Sequence, residues 1–527
     1  MTVTVQPAKI TYTSTNVDLD AFHRTFDDAV ARVRSAAGKH YPLYINGRAV
    51  SSSAERLVDT SPIDASVVLG TFDTARAAEV DAAVVAARAA QSAWGARPWM
   101  ERVAIMRRAA AIIRERKFDL AAVMALEVGK NRLESMGDAE ESADLIDYYA
   151  QQIEDSAGFR RPMNALTPIE TNTDVLRPYG VFACIAPFNF PLALSAGMSS
   201  AALVAGNAVV YKPAEDTPWT GHKLYEVYRD AGVPAGVFNL LHGRGAIMGD
   251  ALWRHPGVDG VVFTGSKPVG MRIYHEFSAQ YPKPCLLEMG GKNATIVMPS
   301  ADLDAAAEGV MRSAFGLQNQ KCSATSRVYV HESVAGAFRE RLLARTAGIV
   351  IGDPSERDVY LGPVINAKSV ERYERAVAQA RSEGEVHCGG RRLSEGALAK
   401  GFYVAPTVAT LPLASSLFRE ELFVPFLAMA TVSSLDAALA ETNKVEFGLT
   451  AGIFSKDGGE VERFFNEVEA GVCYANKRSG ATTGAWPGAQ PFCGWKGSGS
   501  TGKGGCGPFY VQQFVREQSR TVIEERL

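Results

Sequence analysis

Several familiar signals are missing from this 527-residue chain. No stretch of eighteen uninterrupted apolar residues occurs, so no segment reads as a membrane-spanning helix. The N-terminal MTVTVQPAKITYTSTNVDLD has neither the basic start nor the apolar run of a secretory signal. Charge of one sign is lacking too: with 21% charged residues and a formal net charge of −3, no large field invites nucleic acid or an anionic membrane. The seven cysteines are odd in number and none pairs at CxxC spacing, which argues against a disulfide framework and against a zinc site. No GxGxxG follows the first strand of the nucleotide-type region, so the usual dinucleotide fingerprint fails. What remains is the expectation of a soluble, cytoplasmic protein with free thiols, no bound metal and a small-molecule substrate.

The length calls for two or three domains. Residues 78–129 are rich in Ala, Leu, Arg and Glu with apolar positions recurring at three and four, the period of amphipathic helices. From 181 the pattern changes to short apolar runs, VFACIAP, AVVYKP, VFNLLHG, GVVFTGS and CLLEMGG, most of them separated by helix-length segments. That alternation implies a parallel sheet covered on both faces, the doubly wound α/β arrangement that binds nucleotides at strand C-terminal ends. GRGAIMG and GSKPVG each close such a strand, and their glycines, Gly245 and Gly265 among them, could present backbone N–H groups to a phosphate or be ordinary turns. A second βα-like region runs from ATIVMP to about 470. After it, residues 480–508 are too glycine-dense and too long for a hairpin, which marks a functional loop.

Cys322 lies in QNQKCSATSR, a polar stretch carrying a lysine, a setting expected to favour a thiolate nucleophile. A small core cysteine whose polar neighbours point elsewhere is the competing reading of that stretch alone. Glu288 ends a strand in LLEMGGK, and Asn189 is an uncharged amide in the apolar turn APFNFP. Together these supply one chemistry. A thiolate adding to an aldehyde makes an oxyanion that needs N–H donors, and the thioester left after oxidation needs a general base to activate water. Lys212 and Glu215 in YKPAEDTP and Glu421 with Phe423 in FREELFVP are the candidate nucleotide contacts.

The motifs LEMGGKNA, FGLQNQKCSATSRVYV, IAPFNFPL, YKPAEDTP, FTGS and EELFVP occur in an order that resembles the aldehyde dehydrogenase superfamily over nearly the whole chain. The resemblance implies Cys322 as nucleophile, Glu288 as base and Asn189 as oxyanion donor. It implies Lys212 and Glu215 at the adenosine ribose, Ser266 at the pyrophosphate, and Glu421 and Phe423 at the nicotinamide riboside. The cofactor is then NAD, with NADP open. The implied architecture is a cofactor domain (1–158 and 180–287), a catalytic domain (288–490), and a β arm (159–179) with the tail (491–527) that makes a homodimer or higher homo-oligomer.

The loop after 475 and YYAQQIE (148–154) are similar to the Δ1-pyrroline-5-carboxylate dehydrogenase branch, which oxidises L-glutamate γ-semialdehyde to glutamate in proline breakdown. By that similarity Ser323, Gly484 and Ala485 would hold the substrate carboxylate and Phe492 its aliphatic part. Cys493, Val424 and Trp486–Pro487 depart from the branch pattern, which keeps another semialdehyde or an aromatic aldehyde as the alternative. A cysteine hydrolase is the alternative class, but none of the eight histidines sits in a recognisable motif.

Overall fold

The computed structural model describes residues 19–52, 54–480 and 486–524; Gly484 and Ala485 lie outside the described residues. Two seven-stranded sheets dominate. The first runs Cys285–Glu288, Gly260–Thr264, Val181–Ile185, Ala208–Lys212, Phe238–Leu240, Leu43–Ile45 and Arg48–Val50, parallel through its first five members. Both faces are covered, as the continuous apolar runs require. Phe182, Cys184, Val262 and Leu286 pack into one core cluster, and Val181, Ala183, Val261, Phe263 and Leu287 into another. Strand alternation therefore sorts side chains by parity.

Chain order reverses between the neighbouring strands Val181–Ile185 and Gly260–Thr264, since the chain goes out to Phe238–Leu240 on one side and returns on the other. A crevice opens at such a switch point. The five-residue helical turn Gly245–Gly249 and the helix Lys267–Phe277, which Ser266 precedes as N-cap, follow two of these strands.

The N-terminal helical prediction corresponds to Ala77–Ala96 and Trp99–Val128, followed by Arg132–Asp155. The sequence VGKN explains the break between the last two. Gly129 takes the left-handed C-cap conformation (φ 82°), and the Asn131 side chain accepts the Glu134 N–H as the next N-cap.

The second sheet has the order Glu385–Cys388, Thr407–Thr410, Phe426–Val432, Thr325–His331, Asn293–Val297, Thr450–Phe454 and Val472–Ala475, parallel after its first pair. Separately, Glu170–Pro178 pairs antiparallel with both Arg160–Met163 and the late strand Val515–Ile523. Among the described residues no helix is long and apolar enough to cross a membrane.

Candidate active site

Cys322 follows a strained backbone turn. Leu317, Gln318 and Asn319 take successive left-handed conformations (φ 49°, 56° and 61°), a region that costs most side chains about 1 kcal/mol or more each. Specific bonds hold this loop. Asn319 Nδ2 donates to the carbonyls of Ala314 (2.7 Å) and Thr325 (3.0 Å), and Gln320 accepts the Ile365 N–H at 2.9 Å. Asn293 completes the clamp: its Nδ2 donates to the carbonyls of Cys322 and Ala324, both at 2.8 Å, and its Oδ1 accepts the Thr450 N–H at 2.9 Å. A register shift beside Asn293 offsets its strand from Thr325–His331 next to this loop.

Cys322 lines a cleft of about 1720 Å³ together with Asn189, Lys212, Glu215, Gly245, Gly265, Ser266, Glu421 and Phe423. One further catalytic candidate and all seven cofactor candidates thus line the same cleft as Cys322. Glu288, Ser323 and Phe492 do not line it. Ser323 is buried, and Phe492 packs against the large core of the first sheet while its N–H donates to the Gly505 carbonyl at 2.8 Å.

The expectation of a locally positive setting for Cys322 is overturned. Lys321 is buried and its Nζ pairs with Glu134 at 2.7 Å, so its charge is neutralised away from the thiol. Burial foremost, then the Glu421 and Glu288 carboxylates, hold the thiol well above its ordinary range, opposed by the N–H groups of Ser323 and Cys322 itself. The free protein therefore keeps Cys322 protonated at neutral pH.

Burial likewise pushes Glu288 up to about 8, with the Gly494 N–H opposing. Glu421 rises to about 7 for the same reason, although it accepts the Gly291 N–H at 2.9 Å and feels Lys292 and Arg372. A Cβ on Gly290 would stand 2.0 Å from the Glu421 carboxylate, so the GG pair is what allows this approach. Buried Lys212 falls to about 8 because desolvation outweighs Glu215 and Asp216; its Nζ donates to the Pro213 carbonyl at 2.9 Å. Glu215 is exposed and accepts the Gly245 N–H at 3.2 Å, which joins the two sequence candidates into one subsite. Phe423, itself at φ 55°, meets Phe188 edge-on at 5.8 Å.

Two supports were not singled out from the sequence. A fully buried ion pair, Lys130 to Asp138 at 2.6 Å, stands behind the Asn189 turn: Lys130 lies 3.8 Å over the Phe190 ring, and Asp138 accepts the Ala193 N–H at 2.7 Å. The signal available was charge at eight-residue spacing beside an otherwise buried helix face. The second support is Ser498, whose Oγ donates to Gly290 O (2.7 Å) and accepts the Gly448 N–H (3.1 Å), while its carbonyl accepts the Met289 N–H at 2.8 Å. With Ser500 bonded to Leu287 and Cys285, the segment 498–500 covers the outer edge of the Glu288 strand.

Asp138→Asn keeps an amide oxygen for the Ala193 N–H but removes the carboxylate that pairs directly with buried Lys130. It should cost about 3–5 kcal/mol in urea unfolding and weaken the Asn189 turn, whereas replacing both charges by leucine and methionine should recover most of that loss.

A thiol in a cleft beside an amide donor, joined to a nucleotide-type switch point, defines a cysteine-dependent oxidoreductase site. The chain belongs to the aldehyde dehydrogenase family, whose model matches residues 49–519. It is 38% identical to 1-pyrroline-5-carboxylate dehydrogenase 2 of Bacillus subtilis over 506 residues, covering 95% of this chain and 96% of that protein. It is 36% identical to 1-pyrroline-5-carboxylate dehydrogenase 1 of Halalkalibacterium halodurans over 517 residues, covering 97% and 98%. Among solved structures, the 1-pyrroline-5-carboxylate dehydrogenase from Thermus with bound NAD superposes with a TM-score of 0.91 at 37% identity, over 99% of this chain and 100% of that one.

Proposed function

We propose that the chain oxidises L-glutamate γ-semialdehyde to L-glutamate, the reaction of proline breakdown, with NAD as acceptor. The observation that carries the proposal is the convergence of Cys322, Asn189 and all seven cofactor candidates on one cleft, in a chain similar along its whole length to 1-pyrroline-5-carboxylate dehydrogenases. The cleft suits a dinucleotide. It is larger than the few hundred to about 1000 Å³ typical of compact ligands, a Cβ on Gly245 would meet nothing within 4 Å, and the helix behind Ser266 offers its N-terminus to a pyrophosphate. Lys212 and Glu215 would hold the adenosine ribose, Ser266 and Gly265 the pyrophosphate, and Glu421 the nicotinamide ribose beside Phe423. A bound NAD supplies the oxidant at that end of the cleft.

The chain's own residues do the rest. Before the aldehyde enters, Cys322 gives its S–H proton to water in the open cleft; the thiolate then attacks the aldehyde carbon, and the oxyanion is received by the Asn189 amide and the Cys322 N–H. Loss of the aldehyde hydrogen leaves a thioester on Cys322. Glu288 takes a proton from the water that hydrolyses it, returning the thiol and releasing the carboxylate. A glutamate retained at the base position fits water, rather than a second thiol, as the acceptor of the acyl group. The arm strands and the turn between the first two carry exposed Met163, Leu166, Ile169, Val522 and Ile523, apolar side chains suited to joining copies of this chain into a homodimer or larger assembly.

The aldehyde itself is tested by comparing kcat/KM for glutamate γ-semialdehyde, succinate semialdehyde, propanal, hexanal and benzaldehyde. A single hydrogen bond to the substrate carboxylate is worth about 1.5–3 kcal/mol, so glutamate γ-semialdehyde should lead propanal by about tenfold or more. A lead for propanal or benzaldehyde would remove the carboxylate-anchoring role of Ser323, Gly484 and Ala485.

A further inference from the structure

Oxidation of an aldehyde through a hydrolysed thioester, RCHO + NAD⁺ + H₂O → RCOO⁻ + NADH + 2 H⁺, releases two protons per turnover. If Glu288 is the base, as proposed above, the proton it takes from water must leave before the next cycle. The cleft is a poor exit while dinucleotide and substrate fill it.

Glu288 does not line that cleft. Strand alternation places its side chain with Leu286 on the face that carries the helix Ala193–Val204, away from Leu287 and Met289. Its Oε2 is buried and has no hydrogen-bond partner among the described residues, an expensive state for a carboxyl oxygen unless water reaches it. Against it lies a separate small cavity of about 10 Å³. That is close to the least space that can hold one water.

The walls of this cavity form a graded path. At the inner end stand Glu288 and two hydroxyl residues, Thr264 and buried Tyr510. The Thr264 hydroxyl donates only to the weak acceptor Met198 Sδ at 3.4 Å. Thr501 and Lys503 line the same cavity and are themselves exposed, so only these two residues part it from solvent; the Thr501 hydroxyl donates to the Lys503 carbonyl at 3.1 Å. Met198, Val262 and Leu286 make up much of the remainder and keep it from flooding. Tyr510 also stays a proton donor: burial first, then the Glu288 carboxylate, hold its phenol well above the ordinary range.

We propose that Glu288 discharges its proton through a single water in this second cavity, oriented by Tyr510 and Thr264, and out past Thr501 and Lys503 to bulk solvent. The O–H bond formed on Glu288 during thioester hydrolysis breaks as the cavity water accepts that proton and passes one of its own outward. The cleft then needs no water beyond the one that attacks.

Tyr510→Phe removes the orienting hydroxyl with little change in volume, and Thr501→Val removes the other polar wall at an exposed position, together with its bonds to the Lys503 carbonyl (3.1 Å) and N–H (3.3 Å). In stopped-flow with the NAD-loaded enzyme, both should keep the wild-type rate and amplitude of the first NADH burst. Steady-state turnover should fall about tenfold with a larger solvent deuterium isotope effect, and imidazole added at constant ionic strength should restore it. Wild-type turnover in both variants overturns the route, and so does a loss that neither imidazole nor deuterium affects. Glu288→Gln separates the two levels: if it hydrolyses the thioester normally, the base assignment itself fails. If it stalls while Tyr510→Phe and Thr501→Val run normally, only the exit route fails.

Discussion

Cys322→Ala should abolish aldehyde-dependent NADH formation, by at least about four orders of magnitude in kcat/KM, because removing the nucleophile of a covalent mechanism leaves only binding and oxyanion stabilisation. The fold should survive. The bonds that shape the loop reach the Cys322 backbone carbonyl from Asn293, and they do not involve the thiol. Thermal melting of the variant should therefore stay within about 1 kcal/mol of wild type, with NAD binding retained. The acid-base state of the thiol gives a second check. Burial and the Glu421 and Glu288 carboxylates hold it protonated, so alkylation of the free protein by iodoacetamide should be slow at pH 7 and still rising above about 8.5, the ordinary thiol value. Steady NADH formation by the alanine variant would place the nucleophile elsewhere, and fast alkylation at pH 7 would show that the carboxylates do not act on the thiol.

The alternating apolar strands and the three- and four-residue helical period made the doubly wound sheet and the N-terminal helices legible, since both faces of a parallel sheet must be apolar wherever they are covered. Cys322, Asn189, Glu215 and Glu421 were legible because they sit in short, ordered motifs, and the cleft brings them together. The thiol's environment was misread for a physical reason: a polar one-dimensional neighbourhood says nothing about direction, and Lys321 points to Glu134 while the Glu421 and Glu288 carboxylates, from two distant segments, act on the cysteine through space. Asn293 was not singled out because its partner Thr450 lies 157 residues away, and the Lys130–Asp138 pair because the turn it supports at Ala193 lies 55 residues beyond Asp138, separations set by the fold and not by local pattern. The side of the sheet on which Glu288 falls was in principle readable from strand parity, since Leu286 and Glu288 share a face. The cavity beside it was not, because Thr501, Lys503 and Tyr510 arrive from the tail.

Glu288→Gln should split the reaction in time. In the proposed mechanism acylation uses Cys322, Asn189 and the cofactor end of the cleft, so a burst of NADH close to one per active site should remain. Hydrolysis of the thioester then lacks its base and should slow by about 10²–10³-fold, within the range for a positioned general base. The pH dependence fixes the sign. A carboxyl held up to about 8 is protonated and useless as a base below that value, so wild-type hydrolysis should rise with pH through about 8 and level off above it. The glutamine variant should lack that rise. Stability should move the other way: a group whose folded value lies above its unfolded value favours folding less and less as pH climbs from the ordinary carboxyl range to about 8, because the folded state must eventually ionise a buried group. Above pH 8 the variant should therefore unfold at equal or higher urea than wild type. A variant with no burst would make Glu288 necessary for thiol attack instead, and a variant with full turnover would move the base to another residue.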